Sequence, residues 1–289
     1  MFKFIYLYSL LLLNPINALN QLAFSGGGSF GAVEIGIIKR LEYDYNIKYD
    51  FYTGISAGGI NAGYLSHFSN INDGIKSAEI FYSTIKNKMI YSLTPNTNIS
   101  LLNTQPLENT INTIIEKLPK PTIKTFIGTT NLYTGNLDVF RYDLLDSNEK
   151  RTKLLMCTSA IPIIFPPIKF ESAQYADGGT LQNELINVIH DTSYLNITFI
   201  TPSITSIYSN TQITSLQQMI SRTAKIISDN YNKAIPKINS NCVQSIGEIN
   251  KYYVDSKLLN SYNSLNFNYG SELINIGYTN IKHEKILIC

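Results

Sequence analysis

The segment Gly54-Ile55-Ser56-Ala57-Gly58 sets one serine between glycines placed two residues before and two after it. This fits G-x-S-x-G, in which the serine hydroxyl stands at the tip of a sharp strand-to-helix turn and serves as a nucleophile. The glycines have a steric purpose: strand and helix cross two residues either side of the serine and leave little space for side chains. Such a hydroxyl needs a base. Tyr175-Ala176-Asp177-Gly178-Gly179 offers Asp177, although Asp-Gly read alone is a common turn pair. Histidine is the more familiar base, but the chain holds only His67, His190 and His283. His67 lies eleven residues along the helix expected after Ser56, pointing away from the turn, so it reads as a packing or surface residue. His190 and His283 follow Asp177 in an order that an ordinary Ser, Asp, His triad permits, yet neither stands in a glycine-rich or turn context.

Attack of a hydroxyl on an ester carbonyl places negative charge on the carbonyl oxygen, and backbone N–H groups at a helix N-terminus can hold it. Gly26-Gly27-Gly28-Ser29-Phe30-Gly31, whose third glycine lies 28 residues before Ser56, is suited to turn several amides toward one point. Gly27 and Gly28 are assigned as oxyanion donors, Gly26 as a third candidate, and the amide of Ala57 adds another directly after the nucleophile. Gly26, Gly28 and Gly31 also satisfy G-x-G-x-x-G, with Asp50 following Gly31 by 19 residues, which resembles a dinucleotide fingerprint. That fingerprint wants its acidic residue at the end of the second strand. Asp50 instead precedes the apolar run Phe51 to Thr53, and the serine turn follows at once.

The elements that must carry these residues are legible from periodicity. Leu22 to Phe24 reads as a strand, and Val33, Ile37 and Leu41 at helical spacing mark the helix after the glycine loop. Tyr49 to Thr53 reads as a second strand stopped by Gly54, and Ala57 to Phe68 as a second helix with small residues on one side. Helices are further expected over Ile75 to Ile90, over Pro106 to Leu118, through Cys157 and from Asn183. Tyr91 to Gln105 reads as a surface excursion. Strands are expected over Thr122 to Thr130 and Leu137 to Tyr142, joined by a turn at Tyr133 to Asn136, near Tyr175, and over Ile197 to Ile200. Ser203 to Asn268 shows helical patterns without an assignable face. Alternation of strand and helix favours an α/β fold, a central mostly parallel sheet covered by helices on both faces, with both glycine turns at the carboxyl ends of their strands.

The chain of 289 residues, 44% hydrophobic and 11% aromatic, can fill one large α/β core. A formal charge of +2 with scattered basic residues lacks the electrostatic footprint of a nucleic-acid binder. Lys3, the apolar run Phe4 to Leu13 and the break at Asn14-Pro15 read as a signal peptide over residues 1–18, cleaved near Ala18, with the catalytic domain over 19–289. The apolar run is shorter than the ~20 residues of a spanning helix, and an uncleaved membrane anchor is the alternative. A secreted or lumenal destination would make Asn98 and Asn196 glycan acceptors. Cys157, Cys242 and Cys289 permit at most one internal disulfide and match no metal-ligand spacing.

Together the three motif segments resemble the patatin-like phospholipases, whose members carry a glycine-rich oxyanion loop, a G-x-S-x-G serine and a D-G-G or D-G-A aspartate in that order. The likeness extends to Leu155 through Pro162, Phe165-Pro166-Pro167 and Asn183 around the aspartate, to Thr130 through Phe140, and to Glu272 through Asn280. It implies a three-layer fold and a Ser-Asp dyad, in which Asp177 takes the proton of Ser56 directly, with Gly31, Gly54, Gly58, Gly178 and Gly179 as motif glycines. It implies no cofactor and no metal, and the chain has no D-x-D-x-D-G loop for calcium. The implied substrate is a phospholipid, lysophospholipid or glyceride ester met at a membrane or micelle surface. Phe81, Tyr82, Met89 and Tyr91 form either a cap on that surface or, the favoured reading, part of the core. Two positions depart from the family: Phe30 stands where many members have Arg or Lys, and Glu184 where proline often follows the asparagine. A lipid transacylase and a non-catalytic lipid-binding protein of the same fold remain the alternatives.

Overall fold

A computed structural model of the chain describes residues 18–93, 99–186, 195–202, 219 and 247–288. Residues 1–17 of the expected signal peptide, and Asn98, His190, Cys242 and Cys289, lie outside the described residues. The first half runs β1 (Leu19–Phe24), α1 (Gly31–Tyr45), β2 (Phe51–Ile55), α2 (Ala57–Leu65), α3 (Ile71–Thr84), α4 (Asn87–Ile90) and α5 (Gln105–Ile115). The hairpin β3 (Lys124–Asn131) and β4 (Leu137–Arg141) follows, then α6 (Asn148–Thr158), β5 (Ile168–Phe170) and β6 (Ala173–Asp177). After these come β7 (Leu195–Ile200), β8 (Gly247–Tyr253), the helix α7 (Gly270–Thr279) and β9 (Lys282–Ile288).

Among the described residues the strands form one sheet in the order β5-β6-β3-β2-β1-β7-β8-β9, with β4 also paired to β3. The central run β3-β2-β1-β7-β8 is parallel, and the flanking pairs are antiparallel. This is the α/β class expected, a mostly parallel sheet with helices packed on it. Side chains alternate across β1: Leu22 and Phe24 enter the large core with Ile35, Ile38, Leu65 and Leu154 from the helices, while Ala23 joins a smaller cluster with Ile197, Phe199 and Ile249. Tyr82 is 6% exposed, and Phe81, Met89 and Tyr91 pack against the same large core, which is the favoured reading of that aromatic stripe.

Several expected boundaries differ. Gly54 lies inside β2 rather than ending it, since a glycine that a helix must cross can still keep its ladder bonds. The helix over Ile75 to Ile90 is broken at Ile85, whose extended backbone separates α3 from α4. The described residues from Asn183 to Ile186 are not helical; the Asn183 carbonyl instead accepts from the Gly26 amide. Asn196 lies within β7, paired on both sides, and donates its side-chain amide to Asn20, a placement that argues against a glycan there.

Candidate active site

The sheet register brings the two motif ends together. Ile55 of β2 lies opposite Gly128 of β3, and the next residue of β3, Thr129, lies opposite Asp177 at the end of β6. Ser56 and Asp177 therefore leave strands two apart at the same level, about 10 Å between strand axes, a gap that two converging side chains can close over the side-chain-free Gly128. Ser56 Oγ donates to Asp177 Oδ2 at 2.6 Å. Both residues are buried.

Ser56 has φ 56 and ψ −128, the left-handed side of the map that a residue with a side chain rarely occupies. Close packing enforces it. A Cβ on Gly54 would run into the Gly58 backbone, and one on Gly58 would lie within 2.6 Å of the Phe24 carbonyl carbon. The Ser56 amide donates to Thr158 Oγ1 at 2.9 Å, and that hydroxyl donates in turn to the Gly128 carbonyl at 2.6 Å. Thr158 thus ties the turn to β3. Nothing local in the sequence marks this threonine at a helix end as the partner of a turn more than a hundred residues away.

Asp177 is held on three sides. Its Oδ1 accepts from the Gly179 amide at 2.7 Å, its own amide donates to Ala160, and Thr130 Oγ1 donates to its carbonyl at 2.9 Å. A Cβ on Gly178 would meet the Gly128 carbonyl oxygen at 2.7 Å, so the turn after the aspartate also requires glycine. Burial pushes the Asp177 carboxyl up to about 7, against the opposing hydrogen bonds from Ser56 and Gly179. A carboxylate this basic is matched to proton transfer near neutral pH.

The glycine loop packs against the same turn. A Cβ on Gly26 would lie 3.1 Å from the Ser56 Cβ, and one on Gly31 would lie 3.0 Å from the Ala57 Cβ. Gly28 has φ +59 and is the residue at which the chain bends into the short helical turn before α1. Among the described residues no acceptor is hydrogen-bonded to the amides of Gly27, Gly28 or Ala57. Gly26 differs: its N–H is committed to the Asn183 carbonyl at 3.2 Å, so the third candidate donor is already occupied, and Gly26 serves close approach instead. Asn183 completes the clasp by donating its side-chain amide to the Gly26 carbonyl at 3.3 Å.

Neither described histidine approaches Ser56. His67 is 1% exposed, with Nε2 2.9 Å from Tyr142 Oη and Nδ1 2.5 Å from the Pro119 carbonyl, and burial lowers its basicity. His283 sits on β9, four strands from β2, or about 19 Å by strand spacing. It stacks on Tyr252 and lies 3.0 Å from Asn250.

The sequence profile of the patatin-like phospholipase family matches residues 22–189, more than half the chain and all three motif segments. The chain belongs to that family. It is 29% identical over 186 residues to the uncharacterized protein R571 of Acanthamoeba polyphaga mimivirus, a match over 60% of this chain and 62% of that relative's length. The crystal structure of VipD from Legionella pneumophila aligns over 92% of this chain and 68% of its own, with a TM-score of 0.47 and 13% identity.

Proposed function

We propose that the protein is a lipid acyl hydrolase that cleaves carboxylic esters through an acyl-Ser56 intermediate with Asp177 as its only base. The observation that carries this reading is the 2.6 Å Ser56–Asp177 hydrogen bond in a buried site, beside a glycine loop with unengaged amides. In the first half-reaction Asp177 takes the Ser56 proton as Oγ bonds to the ester carbonyl carbon. The oxygen that becomes negative faces the amides of Gly27, Gly28 and Ala57, assisted by the positive end of α2. Collapse breaks the bond to the leaving alcohol, which takes the proton from Asp177. Water then gives a proton to Asp177 and its oxygen to the acyl carbon, and the departing Ser56 recovers that proton.

Phospholipids, lysophospholipids and glycerides are the proposed substrates, presented at a membrane or micelle surface after export through the leader. Turnover of a panel of these lipids by the purified chain, with and without chelator, tests the reading. Free fatty acid released by wild type but not by Ser56→Ala is expected, with no effect of chelator. Acyl transfer to an added alcohol in preference to water would replace hydrolase with transacylase. Absence of any Ser56-dependent turnover or covalent labelling would leave a lipid-binding protein.

A further inference from the structure

Behind the glycine loop lies a carboxyl group that the proposed mechanism does not use. Glu34, in the first turn of α1, is 0% exposed and has no cation paired with it among the described residues. Burying an acid is costly unless hydrogen bonds compensate. The compensation here is specific. Glu34 Oε1 accepts from the Ser25 amide at 3.0 Å, which also reaches the Ile200 carbonyl, and lies 3.4 Å from Ser25 Oγ. Glu34 Oε2 accepts from Asn61 Nδ2 at 2.9 Å, and the same nitrogen donates to the Gly31 carbonyl at 3.0 Å. Asn61 Oδ1 accepts from Tyr82 Oη at 2.8 Å, which fixes the amide with its nitrogen toward Glu34.

These contacts close a ring around the loop. Ser25 is the residue entering Gly26-Gly27-Gly28, and Gly31 is the residue leaving it. Asn61, itself 2% exposed, rides on α2 five residues after Ser56. We propose that Glu34, acting through Asn61, is a positioning residue that locks the oxyanion loop to the nucleophile's helix, so that the Gly27 and Gly28 amides keep one fixed distance from Ser56. Ser25, Glu34 and Asn61 are all buried, so the ring acts on the loop rather than on substrate. Its effect is confined to the step in which the oxyanion forms, since a donor placed about 1 Å off loses most of its transition-state value while ground-state lipid contacts persist. Burial raises the Glu34 carboxyl well above the usual range, opposed first by the Asn61 hydrogen bond, so the fold tolerates an unfavourable group here to gain these two links.

The inference rests on the proposed ester hydrolysis and is tested on the full chain with a medium-chain p-nitrophenyl ester and a trifluoromethyl ketone that adds to the nucleophilic serine. Glu34→Leu keeps the bulk and removes both acceptors. It should lower kcat about 100-fold, the worth of one oxyanion donor, with KM changed less than about threefold. Glu34→Gln supplies one acceptor oxygen for two donors and should lower kcat about tenfold, with ketone affinity falling in step. A folded Glu34→Leu or Glu34→Gln variant with kcat within about twofold of wild type overturns the inference, as does a kcat loss matched by an equal rise in KM. Should Glu34→Leu fail to fold, the Gln variant decides alone, and a Gln variant that also fails assigns Glu34 to folding and overturns the positioning role. Wild type without Ser56-dependent turnover would remove the hydrolase reading and this inference with it. Active wild type, inactive Ser56→Ala and unimpaired Glu34 variants remove this inference only.

Discussion

In the proposed mechanism Ser56 and Asp177 divide the labour of a triad between two side chains, a division that burial of the carboxyl supports. Desolvation pushes the Asp177 carboxyl up to about 7, close to the range in which imidazole serves other serine enzymes, so the proposed proton transfer requires no imidazole between them. The kcat/KM for a soluble ester should therefore rise with pH along a single-proton limb centred near 7, because only the ionised carboxylate accepts the Ser56 proton. A limb centred near 4, measured over pH 4 to 9, would show that burial does not set the base. Ser56→Ala and Asp177→Asn should each lower turnover by at least about 100-fold with folding kept. Replacing His67 costs stability through its Tyr142 contact, whereas His283→Ala should leave turnover intact. Ser56 was legible from its neighbours, Asp177 only from the lack of a well-placed histidine and from the joint resemblance of the three motifs. Thr158 and Glu34 were not, for their partners lie far along the chain, although a lone Glu in the apolar stretch Ala32 to Ile38 signals a buried acid that some donor must satisfy.

At the scale of elements, the nucleophile turn is a packing solution before it is a catalytic one. The crossing of β2, α2 and β1 leaves no room at Gly58, so Gly58→Ala should misfold or destabilise the chain by several kcal/mol, a cost of the order seen for overpacked cores or beyond. Chemical denaturation reads it out, and a midpoint unchanged from wild type would refute the packing argument. Thr158→Val keeps the volume and removes the acceptor of the Ser56 amide; it should cost about 1 to 3 kcal/mol for the orphaned N–H and reduce turnover more than stability predicts. Elements with strong local signals were legible: β1, α1, α2, the β3–β4 hairpin and α6 fall where periodicity and turn residues place them. Others carry no such signal. β5 has three residues, and β8, Gly-Glu-Ile-Asn-Lys-Tyr-Tyr, alternates too little to announce itself, its strand identity coming from pairing with β7 and β9. The edge strand β9, Lys282–Ile288, begins and continues with charge and depends on the same long-range pairing.

For the molecule as a whole, the buried Asp177 of the candidate site is a thermodynamic burden whose sign follows from linkage. The unfolded chain releases the Asp177 proton near 3.8, the folded chain near 7. Between those values the folded state binds more protons than the unfolded state, so this group's contribution to stability falls as pH rises through the window. Asp177→Asn removes the dependence. The variant should melt above wild type at pH 8, by up to about 4 kcal/mol for a shift of roughly three units, and the gap should close toward pH 4. A gap that widens on acidification would reverse the sign and with it the claim that the carboxyl is desolvated. Such a trade of stability for function is a common property of buried catalytic groups.

Direct activation of Ser56 by Asp177 is read from the rate of covalent labelling by a fluorophosphonate, followed by intact mass and mapped to the modified residue. A single adduct on Ser56 is expected in the wild-type chain, formed at least about 100-fold more slowly in Asp177→Asn, and at an unchanged rate when His190 and His283 are both replaced. Labelling of Asp177→Asn at the wild-type rate, or its loss in the histidine variant, would mean that Asp177 is not the base of Ser56.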